Sequence, residues 1–153
     1  MQYSNLQNGI NIITEAAARM PYSPGVYKMI SGDGTIMYIG KAKILPKRVI
    51  SYASVERLPY RLKMMISQLS KIEFLVAETE AQALLLEANL INTISPKYNI
   101  LLKDDKSFPY VAIEESHSFP RISKYRGSKK EKGSYYGPFA SVQAVNEAIS
   151  ELQ

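Results

Sequence analysis

Cysteine and tryptophan are absent from these 153 residues, and histidine occurs once, at His117. Without cysteine there is no disulfide, no thiolate zinc site and no thiol nucleophile. That composition fits a reducing compartment, and the expected location is the cytoplasm. A single histidine in a loop-like stretch argues against triads and histidine-based nucleases, which need a placed imidazole as base or ligand. Aspartate is also scarce, limited to Asp33, Asp104 and Asp105. A two-metal phosphodiesterase usually gathers several carboxylates around its ions, so that reading is poor. No basic segment followed by an apolar run opens the chain, so no signal peptide is expected. No apolar run approaches the roughly 20 residues that cross a bilayer.

What is present is ordinary in bulk. A hydrophobic share of 46% and a charged share of 22% are those of a globular chain, and the length suits one domain with a small appendage. The net charge of +5 admits two readings, a surface kept basic for solubility or an anionic partner such as nucleic acid.

The pattern along the chain predicts an α+β fold. A short helix is expected over Asn11 to Arg19, broken by Pro21 and Pro24. Gly25 to Ile30 and Ile36 to Ile39 read as two strands of a hairpin around the turn Ser31 to Thr35. Ile44 to Tyr52 reads as a helix with Pro46 in its first turn, and Arg61 to Ser70 as another. Ile72 to Ala77 is the third strand, making a three-stranded antiparallel sheet flanked by helices. Thr79 to Ile94 is the strongest helix: Thr79 can cap it, Gln82 stands at capping-box spacing, and Pro96 stops it. Beyond it, Tyr98 to Leu102 reads as extended. Tyr110 to Ile113 and Ile122 to Tyr125 read as paired strands, Tyr135 to Phe139 as an aromatic turn, and Ser141 as the cap of a last helix. The expected organisation is a helical lead-in over 1–22, a principal domain over 23–98 and a small β-containing extension over 99–153.

Glu87 draws attention because its same-face neighbours, Ala83, Leu84, Leu90 and Ile91, are all apolar. Burying such a carboxylate unpaired is costly. It is therefore a flank residue or salt-bridge partner, or a ligand for a hard divalent cation, which one carboxylate with waters and phosphate can hold. Tyr27 and Tyr38 lie on the two hairpin strands, near Gly25 and Gly40; tyrosine in strands is ordinary, so each alone says little. Lys41 follows Gly40, and Arg48 and Tyr52 stand four apart on one helix face, with Lys43 and Lys47 nearby. A solvated charged face is the plain reading. A phosphate-binding face is the sharper one, because guanidinium grips phosphate oxygens with paired hydrogen bonds. The tract from Lys124 to Lys132, five basic residues in nine, reads as an exposed hairpin tip.

Taken in order, Gly25-Val26-Tyr27, Tyr38-Ile39-Gly40 with Lys41-Ala42-Lys43, Arg48, Tyr52, Glu87 and Asn99 resemble the motif set of the GIY-YIG nuclease superfamily, in its UvrC branch. The stretches Leu102 to Tyr110 and Tyr135 to Phe139 resemble the segment that follows the nuclease module in that branch. The resemblance implies an endonuclease domain of nucleotide excision repair that cuts 3′ to a lesion. Its partners would be damaged double-stranded DNA and UvrB, with UvrA acting upstream, and no membrane or small-molecule cofactor is implied. It implies one divalent metal ion, Mg²⁺ or Mn²⁺, on Glu87. Tyr27, Tyr38, Lys41, Arg48, Tyr52 and Asn99 fall on the family's catalytic positions. Either Tyr27 or Tyr38 would activate or orient the attacking water. Lys41, Lys43, Lys47, Arg48 and Arg61 are the expected DNA contacts. Two other readings remain: a stand-alone nuclease for another DNA structure, and a non-catalytic nucleic-acid-binding module.

Overall fold

A computed structural model describes residues 3–100, 108–114, 121–126, 134–139 and 141–152. Asp104, Asp105, His117, Leu101 and Leu102, and residues 127–132 of the basic tract lie outside the described residues. The described elements run α1 (Tyr3–Arg19), β1 (Gly25–Ser31), β2 (Ile36–Ala42), α2 (Leu45–Ile50), α3 (Tyr60–Ser67), β3 (Leu69–Val76) and α4 (Glu80–Ile94). A second group follows: β4 (Tyr110–Glu114), β5 (Arg121–Tyr125), β6 (Ser134–Tyr136) and α5 (Val142–Leu152). Two short 3₁₀ turns, Ser51–Ala53 and Val55–Arg57, link α2 to α3. No described helix is long and apolar enough to cross a membrane.

The first sheet is antiparallel in the order β2-β1-β3. Because β1 is central, both its faces are covered, and alternate residues enter different cores. Tyr27 and Met29 point into a core with Ile13 of α1, Leu45 of α2 and Met65 and Ile66 of α3. Val26 points the other way and packs with Ile39 and Ala83 beneath α4. The opposite stripe of α4, Ala81, Leu84 and Ala88, packs on Val111, Phe139 and Val145 of the second group. An apolar helix without a clear polar face is what burial on two sides requires.

The hairpin turn forms as the sequence predicts. The Asp33 carboxylate accepts from the Ser31 hydroxyl and, at 3.0 Å, from the Thr35 N–H. These bonds, Ser31's first, hold its pKa down at about 2, and Gly34 takes φ +87°. The capping expectation also holds: Thr79 Oγ1 accepts from Gln82 N–H at 3.1 Å, and Gln82 Oε1 accepts from Glu78 N–H at 3.0 Å. Pro46 sits in the first turn of α2, and Ser141 Oγ accepts from Ala144 N–H at 3.1 Å ahead of α5.

Several expectations change; Tyr98 and Asn99, at the start of the stretch read as extended, lie in a turn, and the helix read over Ile44 to Tyr52 ends at Ile50. The first helix begins at Tyr3, well before Asn11. Within the added turns, a Cβ on Gly9 would lie 2.2 Å from the Ile66 carbonyl oxygen. That glycine is a close-approach point between α1 and the end of α3, where any side chain would collide. The third strand starts at Leu69, because β1 is long enough to pair Ser31 with Leu69 and Ile30 with Lys71. Ser134–Tyr136, read in part as turn, is a short strand paired with Val111–Ile113. Three residues are too few to show a two-residue period.

Candidate active site

The first half of the motif is explained by packing. Gly25 carries no side chain because a Cβ there would stand 2.4 Å from the Leu75 carbonyl oxygen and 2.7 Å from Leu45 Cδ1. Gly40 lies opposite Tyr27 in the ladder, and a Cβ there would stand 2.2 Å from both Cζ and Oη of Tyr27. The Tyr27 ring therefore lies across the bare backbone of Gly40. The second glycine of the pair exists to make room for the first tyrosine.

Tyr27, Tyr38 and Tyr52 form a triangle with ring centroids 5.9 to 6.3 Å apart. Tyr27 is wholly buried and its hydroxyl lies 2.7 Å from that of Tyr52. Arg48, one helical turn before Tyr52, donates Nη2 to the Tyr52 hydroxyl at 3.4 Å, with its guanidinium 5.3 Å from the ring centroid. Burial first, and then the neighbouring phenols, push Tyr27 far above the ordinary phenol range. Tyr38 is also raised, by burial, by Tyr52 and by the charge of Glu87, with Arg48 pulling the other way. The two tyrosines differ in access. Tyr27 has no surface for a water molecule, whereas Tyr38 is half-buried and lines a cavity of about 420 Å³ with Arg61 and Asn99.

Glu87 sits on α4 between the stripe facing the sheet and the stripe facing the second group. Burial raises its pKa, opposed by the Lys41 ammonium, the Lys41 backbone N–H and Arg48. The carboxylate borders a cavity of about 360 Å³ with Lys41 at the same end. A carboxylate that is partly stripped of water, faces open space and has one cation nearby suits a hard divalent ion whose other ligands are water and phosphate. Among the described residues no three His, Asp or Glu side chains converge, so a site at Glu87 rests on that single carboxylate.

Asn99 belongs to the site by a different route. Its Oδ1 accepts from Ile39 N–H and its Nδ2 donates to the Ile39 carbonyl, each at 2.9 Å. Tyr98 N–H adds a bond to the Met37 carbonyl at 2.9 Å. The amide thus stands in for a neighbouring strand along the open edge of β2, fixing the backbone between Tyr38 and Gly40. Arg61 is spent largely on this same turn: it donates to the carbonyls of Tyr98 at 2.9 Å and Lys97 at 3.2 Å, and its guanidinium lies 5.2 Å from the Tyr98 ring centroid. Lys43 and Lys47 are exposed, and among the described residues neither is in an ion pair. Sequence reasoning did not single out Asn92, whose side-chain N–H donates to the Gly137 carbonyl and ties α4 to the turn after β6. Its only sequence signal was a polar residue near the end of an apolar helix.

The antiparallel hairpin, the tyrosine triangle beneath a glycine, and an arginine and a lone helix glutamate beside it define a GIY-YIG nuclease domain. The family described as the UvrC-like GIY-YIG domain matches residues 23–100, and the UvrC/Cho excinuclease middle domain matches residues 108–153. The chain belongs to the UvrC-like GIY-YIG family. Among its relatives, UvrABC system protein C of Paramagnetospirillum magneticum is 48% identical over 97% of this chain, and that of Rhodospirillum rubrum 52% identical over 95%. The chain spans about a quarter of their length, 24% and 23%. The magnesium-bound GIY-YIG N-terminal endonuclease domain of UvrC from Thermotoga maritima matches with a TM-score of 0.52 at 32% identity, covering 65% of this chain and 100% of that one.

Proposed function

We propose that this chain is the metal-dependent endonuclease domain of a UvrABC-type excinuclease, hydrolysing a DNA phosphodiester on the 3′ side of a lesion. The observation that carries the reading is Glu87: a carboxylate raised by burial, open to a cavity, with Lys41 at its side and the water-accessible Tyr38 coupled to it. In the full-length protein the partners are damaged duplex DNA and UvrB, with UvrA acting upstream.

Glu87 would hold the divalent ion, which supplies Lewis-acid polarisation of the phosphate and charge for the leaving oxygen when bound. The remaining work falls to the chain's own groups. Tyr38 is the tyrosine with exposed surface, so it orients the attacking water, and in its phenolate form, its own proton already released to solvent, it takes that water's proton. Tyr27 stays protonated and, through its bond to Tyr52, braces the ring against which Arg48 leans. Arg48 has further N–H donors for the phosphate as negative charge builds in the transition state. Lys41 neutralises the phosphate from the Glu87 end of the cavity. Asn99 is a positioning residue that sets the β2 backbone carrying Tyr38. Lys43 and Lys47, exposed around the start of α2, supply salt-sensitive attraction to the DNA backbone without reading sequence.

The test is nicking of a lesion-containing duplex loaded with UvrA and UvrB, with Mg²⁺ supplied, comparing the wild-type chain with Glu87→Ala. Metal-dependent incision 3′ to the lesion, lost in the folded variant, is the expected result. Equal incision by both proteins would remove Glu87 from the chemistry.

A further inference from the structure

Glu87 borders a cavity that the nuclease module does not enclose by itself. One wall is α4, with Leu84, Ala88 and Ile91; the other is the second group, with Pro138, Phe139 and Ala144. Asn92, further along α4, donates to the Gly137 carbonyl and holds that second wall in place. At about 360 Å³ the space is in the range of sites that take small organic groups. Its lining is mostly apolar, with the charged groups Lys41 and Glu87 gathered at one end. Ile100 is 81% exposed and borders this cavity. The same side chain borders the cavity of about 420 Å³ that holds Tyr38, Arg61 and Asn99. Ile100 thus borders both recesses, one lined by Lys41 and Glu87 and the other by Tyr38 and Asn99.

We propose that the second group completes the nuclease site, and that the cavity beside Glu87 seats the sugar and base of one nucleotide flanking the scissile phosphate. This rests on the endonuclease reading above. A phosphate drawn to Lys41, beside the cation that Glu87 would hold, must leave its attached nucleoside in an adjoining space. The adjoining space here has an apolar floor, a proline ring and the edge of a largely buried phenylalanine. Such surfaces accept the face of any base, because stacking is tolerant of sequence. Ile100, standing between the recesses, separates this nucleotide from its neighbour across the bond to be cut. The second group is therefore part of the substrate site, and Gly137, Pro138, Phe139, Ser141 and Ala144 contribute to DNA binding without touching the reacting atoms.

The test is abasic scanning. A set of short single-stranded oligonucleotides, each lacking one base, is titrated by fluorescence anisotropy at low salt with Ca²⁺ in place of Mg²⁺, and gel electrophoresis checks that the oligonucleotides stay intact. The wild-type chain is compared with Ala144→Phe, which fills the cavity and leaves Tyr38, Lys41, Arg48 and Glu87 in place. Asn92→Ala, which frees the second wall, serves as an independent variant should the larger side chain disturb folding, and circular dichroism monitors both. One abasic position should weaken binding to the wild-type chain about tenfold, the scale expected for losing one stacked base. The profile should flatten in either variant. Binding that is indifferent to every abasic position, or a weak position that survives in both folded variants, overturns the nucleotide pocket and leaves the endonuclease reading standing. Failure to bind any oligonucleotide at low salt overturns both.

Discussion

Replacing Gly40 by alanine tests the packing that shapes the motif. The new methyl carbon would lie 2.2 Å from Cζ and Oη of Tyr27, against an ordinary carbon contact of about 3.5 Å. The ring must retreat by roughly 1.3 Å if the strands hold their register. Such a shift stretches the 2.7 Å bond between the Tyr27 and Tyr52 hydroxyls beyond hydrogen-bonding length. Overpacking in a filled core costs about 1–3 kcal/mol. A buried hydroxyl left without its partner costs about 1–3 kcal/mol more. The sum, about 2–6 kcal/mol, corresponds to a fall in Tm of several degrees or more for a chain of this size. Urea denaturation followed by circular dichroism measures it directly. The same substitution is then made in a Tyr27→Val background. Removing the ring has its own cost, but with no ring above Gly40 the added methyl should cost less than about 0.5 kcal/mol, as for uncoupled sites. A coupling near 2 kcal/mol or larger between the two positions is the expected outcome. Additive effects, or a Gly40→Ala chain as stable as wild type, would refute the account of why the second glycine is needed.

Glu87→Gln should raise Tm in metal-free buffer at neutral pH. Burial lifts the native carboxyl above its unfolded value of about 4.3, so the folded state binds the proton more tightly. Stability is therefore lost as pH rises through that value to the raised native one, and the cost stays in full at higher pH. The gain in the variant should disappear in acid, and added Mg²⁺ should raise the melting temperature of wild type alone; equal melting curves at every pH would contradict the desolvated carboxylate. Asn99→Ala removes two 2.9 Å bonds to Ile39, worth about 1 kcal/mol each, with water at the strand edge returning part of the loss. Incision should slow while the Mg²⁺-dependent rise in melting temperature persists, because Glu87 stands on a different element; loss of that rise would place Asn99 at the cation. For Tyr38, burial, Tyr52 and Glu87 lift the phenol above its ordinary value of about 10. If its phenolate is the base, the single-turnover incision rate should climb about tenfold per pH unit from 7 to 9 without a plateau, and Tyr38→Phe should lose that slope with the activity. A residual rate in the phenylalanine variant with the same slope would assign the dependence to hydroxide.

Local signals carried most of the first sheet and its helices. The hairpin was legible because Ser31, Asp33 and Gly34 are turn residues between β-rich runs, and α4 because Thr79 and Gln82 form its cap. Gly9 shows why the start of α1 was not legible: a glycine that breaks a helix and a glycine that lets two helices touch look alike in one dimension. The same ambiguity surrounds the candidate site. Its residue types could be named from order and spacing, but their division of labour could not, because that division depends on access. Tyr27 and Tyr38 are equivalent as letters in a motif; one lies under Gly40 with no solvent, and the other opens on a cavity.

Asn99 and Arg61 show the converse. Arg61 was expected at the phosphates and Asn99 among the catalytic positions, and both spend hydrogen bonds on backbone, Asn99 on Ile39 and Arg61 on the turn that carries Asn99. A polar side chain in a nuclease motif need not meet the substrate to be required. Holding an edge strand in register is enough when that strand carries Tyr38. Edge strands lack one ladder of hydrogen bonds, and β2 is an edge of its sheet. On the proposed mechanism, the Tyr38 hydroxyl must be placed closely against the reacting water and cannot sit on an unsupported edge. The amide of Asn99 supplies the missing ladder at Ile39, the residue next to Tyr38. On the proposed mechanism, that accounts for an asparagine sixty positions downstream of Ile39 serving the same site as Tyr38.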